Sequence, residues 1–346
     1  MKLSVRPVDF AADREQLLSV LQRNLQDVPH EARLSWLYLD NPAGPARSWF
    51  LCEEDDNVVG VTSLFPRAVW LDGNAAVCGQ VGDFGVDLRC RSLGPAIMLQ
   101  RATFEPVLRG ALAFCYDCPP HERGMTMFHR LGLRENCRMH AYVKPLRTDR
   151  QLERWLGQTA GRITACAANP ILRLASRSAK PSRGLEFGLQ TAAFGPEFSA
   201  LDKAVQLPGA IRNRRSAEDL NWRFGQNPLH RFQVLTARRD GELLAYLVLS
   251  VIDEDAFIFD MFGRELSDIG PALLQSLTEL LQGLPVQTLR ALVAGDGSYP
   301  AILRQVGFSF RGAAVRVVAF AGAEGPVLDT LQHKAGWQFL HSDIMA

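Results

Sequence analysis

The sequence predicts an α+β protein that carries one domain twice, and three observations predict it. A seven-residue phrase occurs as "WLYLDNP" at 36–42 and again as "WRFGQNP" at 222–228, both of the form W-x-[Y/F]-x-x-N-P. The segments on either side of each phrase follow one order of strand-like and helix-like patterns. Each copy also enters a helix through the tripeptide Gly-Pro-Ala, at Gly94 and at Gly270. With 346 residues the chain can hold two cores, since a domain takes roughly 100 to 200.

Taken in order, "KLSVRPV" from Lys2 alternates as a strand does. Leu17, Leu18, Val20, Leu21 and Leu25 of "AADREQLLSVLQRNL" then recur at helical spacing. "LEFGLQTA" from Leu185 and "GPEFSALDKAVQL" from Gly195 repeat the pair. After the shared phrase comes a hairpin, turning at Asp55, Asp56 and Asn57 in one copy and at Asp240-Gly241 in the other. A further strand and the Gly-Pro-Ala helix follow. Then come "ALAFCYD" or "LRALVAG", another helix, and a closing Gly132-Leu133 or Gly307-Phe308. The offsets between partners are 186, 176 and 175, with the large slippage near "WLDGNAAVCGQ". The predicted organisation is a first domain over 1–146, a linker over 147–184 and a second domain over 185–346. The linker holds eight basic and two acidic residues, and Pro170 and Pro181 are expected to break it into one or two short helices.

Composition excludes some function classes. The 38 basic and 37 acidic side chains nearly cancel, so no global field draws the chain to nucleic acid. A content of 47% hydrophobic and 22% charged residues is that of a globular protein. No stretch reaches the ~20 apolar residues of a membrane span, and the first residues carry acids and lack a signal-peptide core, so a cytoplasmic protein is expected. Seven cysteines, odd in number and without framework spacing, read as reduced thiols. "CYDC" at 115–118 lacks a second pair for zinc, and no metal site is expected.

The stretch that carries chemistry is "QVGDFGVDLRCRSLGPAIMLQRATF" at 80–104, a strand that passes through a basic turn into a helix. A helix start offers unpaired N–H groups and the positive end of the dipole. Gly94 lets backbone approach a ligand without a Cβ, and Arg89 and Arg91 add charge. Such a turn binds anions.

Arg91, Gly94 and Ala96 fit [R/Q]-x-x-G-x-[G/A], and this half, from about residue 3 to 145, resembles the GNAT (Gcn5-related N-acetyltransferase) superfamily, whose acyl-CoA pyrophosphate loop has that pattern. "PPHERGMTMFHRLGL" at 119–133 is similar to the family's last helix. The resemblance implies two tandem GNAT-like domains, each a mixed, splayed β-sheet flanked by helices. It implies acetyl-CoA or another acyl-CoA held by Val86, Arg89, Arg91, Ser92, Leu93, Gly94 and Ala96, and an N-acyltransferase in which an acceptor amine attacks the thioester directly. Two-copy chains with "LGPA" after a basic turn are similar to GNAT proteins of bacterial surface-polysaccharide gene clusters, which implies an amino-sugar or polysaccharide-precursor acceptor.

Three departures matter. Pro95 removes one N–H from the cradle, although proline suits a first helical turn and Pro271 matches it. In the second copy, Ser267 replaces the loop arginine, with Glu265 and Asp268 beside it, so that copy reads as a degenerate cofactor site. The family's proton-donating tyrosine falls at Phe128 and Leu303, neither of which can donate.

Tyr116 is the substitute candidate for the acid, against the alternative of an ordinary strand tyrosine. For the base, Asp83 leads, because a carboxylate in mid-strand needs a partner or a task. Asp87 shares its strand face and Asp117 ends the neighbouring strand. His121 and His129 read as surface or capping histidines rather than bases. Trp36, Tyr38, Asn41 and Pro42 recur and so serve shared architecture. The basic linker, with Trp155, Ile163 and Leu172, presents a solvated helix face or a peripheral contact with an anionic membrane or a sugar phosphate. Two rival readings remain: a FemAB-like aminoacyl transferase, and a non-catalytic sensing or scaffold protein on the same fold.

Overall fold

The structure, a computed structural model, describes residues 2–25, 31–119, 122–175, 184–322 and 325–344. Two expectations, for His121 and for Pro181, lie outside the described residues.

The first copy opens with β1 (Ser4–Pro7), α1 (Arg14–Asn24) and α2 (Glu31–Leu34). β2 (Arg47–Cys52), β3 (Val58–Leu71) and β4 (Asn74–Val86) form a meander, and α3 (Leu93–Leu108), β5 (Cys115–Asp117), α4 (Glu122–Arg130) and β6 (Glu135–Pro145) follow. The linker forms a helical hairpin, α5 (Asp149–Leu156) and α6 (Gln158–Ala175). The second copy repeats the plan with β7 (Glu186–Thr191), α7 (Pro196–Ala204), β8 (Ile211–Asn213), α8 (Ala217–Leu220), β9 (Gln233–Arg239), β10 (Glu242–Ile252) and β11 (Asp255–Gly263). It closes with α9 (Leu266–Leu281), β12 (Thr288–Ala294), α10 (Tyr299–Gln305), β13 (Ser309–Phe320) and α11 (Pro326–Gln332).

All strands join one mixed sheet in the order β1-β2-β3-β4-β5-β13-β6-β12-β11-β10-β9-β7, with β8 added to the far end of β3. The order is nearly a palindrome of the two copies, and at its centre they exchange strands. β13, from the second copy, lies antiparallel on β5, while β6, from the first, lies antiparallel on β12. β6 and β13 pair with each other between them. Each copy therefore completes the other's sheet.

Local chemistry explains the turns and the helix ends. Asp72-Gly73 and Asp240-Gly241 hold φ of 49°, 76°, 51° and 80°, the left-handed pair that a two-residue hairpin turn requires. α4 and α10 end alike: Leu133 N–H donates to Phe128 O at 2.9 Å and Phe308 N–H to Leu303 O at 3.1 Å, across Gly132 and Gly307 at φ 78° and 89°. This is the Schellman closure, which needs the left-handed residue glycine supplies. Each seven-residue phrase forms one π-helical turn, Ser35–Leu39 and Asn221–Gly225. The side chains of Asn41 and Asn227 then accept the N–H groups of Ala43 and Leu229, turning the chain at the proline.

Two sequence expectations are corrected. α6 runs through Pro170 rather than breaking there, because the carbonyl deprived of its donor belongs to exposed Cys166, where water can replace it. In the second copy, α9 begins four residues before Gly270, whereas α3 begins one residue before Gly94, so the two Gly-Pro-Ala tripeptides do not occupy equivalent turns.

In the first copy the sheet is covered on both faces. Leu17, Val20 and Leu21 of α1 pack with Leu37, Phe50, Val61 and Phe65 on one. On the other, α3 packs Leu99 on Leu51, Val59 and Val86, and Phe104 and Val107 on Trp49, Leu64 and Cys115. Full burial of each such side chain contributes ~1.5–3 kcal/mol.

Candidate functional site

β4 and β5 are paired in parallel only at Gly79–Cys115 and Gln80–Tyr116. Beyond Gln80 they part. Three residues later the β3–β4 ladder slips by one residue, with Asp83 at φ 47°, and this bulge swings β4 away. β4 then leads through a short 3-10 turn, Leu88–Cys90, to α3. The V between the strands and the start of α3 thus share one corner.

At that corner Ser92 is extended, with φ −145° and ψ 174°, and its hydroxyl does not cap the helix. Leu93 and Gly94 lie in the first turn, where a helix has no carbonyl to offer its own N–H groups. A Cβ built on Gly94 would meet nothing within 4 Å. Exposed Arg91 donates through Nε to Val86 O at 3.2 Å, which anchors its stem beside the helix start. Arg89 is tied to Glu53 at 2.5 Å, which offsets its charge. Val86 is buried under Leu99, and Ala96 packs with Ile97 and Phe84 on Met125, Met127 and Phe128 of α4. Of the seven predicted cofactor residues, then, Arg91, Ser92, Leu93 and Gly94 form the open rim, and Val86 and Ala96 its floor.

The predicted proton-handling residues are separated by the sheet. Asp83 points to the α1 and α2 face, where Arg33 grips it with two hydrogen bonds of 2.7 and 2.8 Å and the Tyr38 hydroxyl donates at 2.5 Å. Ser63 and Ser48 continue the chain of hydroxyls behind Tyr38. Burial, then the adjacent Asp83 carboxylate, push the Tyr38 hydroxyl well above its ordinary range. With both oxygens engaged, Asp83 is a tether for the bulge.

Tyr116 does not reach the corner. It is 1% exposed, packs with Phe339 and Phe114, and donates to Asp343 O at 2.6 Å on the opposite face from α3. Burial pushes its hydroxyl well above the usual range. Period-two alternation, which identifies a strand tyrosine, does not reveal which sheet face will hold the helix.

Asp117 is on the other side. Its cross-strand partner is Val318, which packs on Met125 and Phe128 of α4. Desolvation lifts its carboxyl from 3.8 to about 7, against a hydrogen bond from the Cys118 N–H. The residue retains partial surface access, as a group that exchanges protons must. Cys115 and Cys118 flank it as free thiols, both pushed well up by burial. His129 is exposed at the end of α4, away from the corner. Among the described residues no group of His, Cys, Asp and Glu is arranged to hold a metal ion.

No family model matches the chain, and no curated protein matches it. Solved structures do. A GCN5-related N-acetyltransferase from Anabaena variabilis superimposes with a TM-score of 0.64 at 12% identity, over 93% of this chain and 73% of its own. A tandem GNAT protein from the clavulanic acid biosynthesis pathway superimposes with a TM-score of 0.58 at 15% identity, over 94% of this chain and 100% of its own. Saccharomyces cerevisiae N-myristoyltransferase with bound myristoyl-CoA gives 0.56 at 11% identity, over 92% and 82%. The chain has the tandem GNAT fold.

The second GNAT-like copy splays and bulges too: β11 and β12 pair only over Asp255–Ile258, and the β10–β11 ladder slips at Val248 and Leu249. Its bulge also carries a clamped aspartate, Asp260, held by Arg215 at 2.8 Å and by the Tyr246 hydroxyl at 3.0 Å. Its corner is different. Gly270 is buried, and a Cβ there would meet Ile302 Cγ2 of α10 at 3.0 Å. Ile269, Leu273, Ile302 and Leu303 fill the groove between α9 and α10. Glu265, at φ 47°, and Asp268 present carboxylates where an anion would arrive.

Proposed function

We propose that the protein is an acyl-CoA-dependent N-acyltransferase whose co-substrate is held at the first copy alone, acetyl-CoA being the form to test first. The observation that carries this reading is the contrast between the two helix starts: α3 opens with Gly94 free of neighbours beside Arg91, while α9 opens between the carboxylates Glu265 and Asp268. The Leu93 and Gly94 N–H groups, with Arg91, would take the pyrophosphate oxygens. An acyl-CoA tail running from there to the V between β4 and β5 would pass over Phe84, Ala96 and Ile97, which pack on α4.

The thioester would supply an activated acyl carbon. The chain's own contribution is to bring an amine to that carbon, to exclude water, and to move one proton. When the C–N bond forms the nitrogen sheds a proton, which recharges the acid, and when the C–S bond breaks the sulfur needs a proton. Asp117, on the α4 face and half protonated near pH 7, is the group we assign to deliver it in place of the tyrosine missing at Phe128. Asp83 we assign to positioning, holding the bulge through Arg33 and Tyr38. The acceptor is an amine, and amino sugars are the first class to test.

The test is release of free thiol from acetyl-CoA in the presence of amino sugars and of simple primary amines. Amine-dependent release abolished by Arg91→Glu supports the reading. Tight binding of acetyl-CoA without release for any amine would favour a sensing protein, which the missing tyrosine already recommends as the second reading.

A further inference from the structure

A cleft of about 610 Å³ opens along the Met125–His129 side of α4. β6, β13 and the turn at Lys334–Gly336 bound it, and it shares no lining residue with the β4–α3 corner. Its floor is apolar, from Met125 and Leu133, and its rim is cationic: Arg134, Arg138, Arg316 and Lys334 line it, with Glu135 the one acid among the described lining residues. Glu135 accepts from Arg138 at 2.7 Å and lies 3.2 Å from Arg316, so one carboxylate serves two guanidiniums. Exposed Arg134 and Lys334 have no ion-pair partner among the described residues. In a chain whose net charge is only +1, four cations and one acid on a single cleft make a local positive field that attracts anions.

We propose that this cleft is a second anion site, which takes a small phosphorylated molecule. A single carboxylate ligand would leave most of the excess charge unmatched, whereas a phosphate ester or diphosphate brings two or more charges and enough oxygens for several guanidiniums. The volume suits a molecule of sugar-phosphate size. Arg316 stands two residues along β13 from Val318, the cross-strand partner of Asp117, so this edge of the cleft is about 7 Å along the strand from the residue paired with the proposed acid. The inference stands whether or not the α3 corner holds acyl-CoA.

The test uses inorganic pyrophosphate as probe, titrated calorimetrically into the full chain at low salt. Four proteins are compared: wild type, Arg134→Glu/Lys334→Glu, Arg91→Glu, and the charge-matched control Arg109→Glu/Lys203→Glu. All the altered side chains are exposed, and thermal melts check the fold. At least a tenfold loss in the cleft variant, with less than twofold change in Arg91→Glu and in the control, is the expected result. Equal losses in the cleft variant and the control would mean general charge attraction and overturn the proposal. Loss in Arg91→Glu but not in the cleft variant would put the anion at α3, and no binding to wild type would show that the cleft takes no phosphate; either overturns it.

Discussion

Trp36 and Trp222 stack across the junction of the two copies, with ring centroids 5.3 Å apart and planes at 25°, and each indole N–H donates to the other's backbone carbonyl, at 2.7 and 2.9 Å. The repeated phrase in the sequence is therefore a self-complementary contact, the same residue meeting its own counterpart. Both rings are buried, and Arg67 lies 5.0 Å over Trp222. Trp36→Ala should cost about 3–5 kcal/mol, since it empties a buried site and strips a partner from the opposite indole. Urea unfolding of both single variants and the double variant checks this. The double variant should lose less than the sum by ~1 kcal/mol or more.

Asp117→Asn should slow amine-dependent thiol release by ~10²-fold at pH 7 and abolish a limb of the pH–rate profile. The sign follows from the acid role: wild-type rate falls as pH rises through about 7, where Asp117 loses its proton. Stability gives an independent reading. Because the folded carboxyl holds its proton up to about 7 and the unfolded one only to about 3.8, wild type loses stability relative to Asp117→Asn as pH rises between those values, by at most about 4 kcal/mol. Unfolding curves at pH 5 and pH 8 measure the difference.

His341 should act with the opposite slope. It stacks on Phe259 at 4.4 Å and 8°, and burial, then the charge of His230, lowers it from 6.5 to about 4. Its neutral form belongs to the folded state, so its contribution is full above pH 6.5 and is lost as pH falls toward 4, by at most about 3 kcal/mol. His341→Phe should flatten that acid limb in unfolding experiments, while leaving the Asp117 limb in place.

Gly94→Ala separates a folding role from a binding role. The added methyl meets no atom and improves helix propensity, so melting should stay level or rise slightly. Affinity for acetyl-CoA should nevertheless fall about tenfold, because the methyl occupies the space a phosphate needs. Thermal melts and calorimetry on one sample compare the two.

Much of this was legible in the sequence where one residue dictates one backbone geometry. Asp240-Gly241, Gly132 and Gly307 each require a left-handed residue, and the paired phrase at Trp36 and Trp222 announced the repeat. The strand exchange was not legible, because the alternation of "ENCRMHAYVKP" suits any neighbour, and nothing in it favours β12 over β5. Asp83 illustrates the same limit at the site: its mid-strand position signalled a partner, but the partner, Arg33, is 50 residues away. Asp117 looked unremarkable as a strand end until the packing of Val318 on α4 showed which face it shares.

The central claim is that only the first of the two copies grips acyl-CoA. Isothermal titration of acetyl-CoA into wild type, Arg91→Glu and Ser267→Glu tests it most directly. One site per chain should be found, weakened at least tenfold by Arg91→Glu and unchanged by Ser267→Glu. Two sites per chain, no binding at millimolar ligand, or affinity indifferent to Arg91→Glu would contradict it.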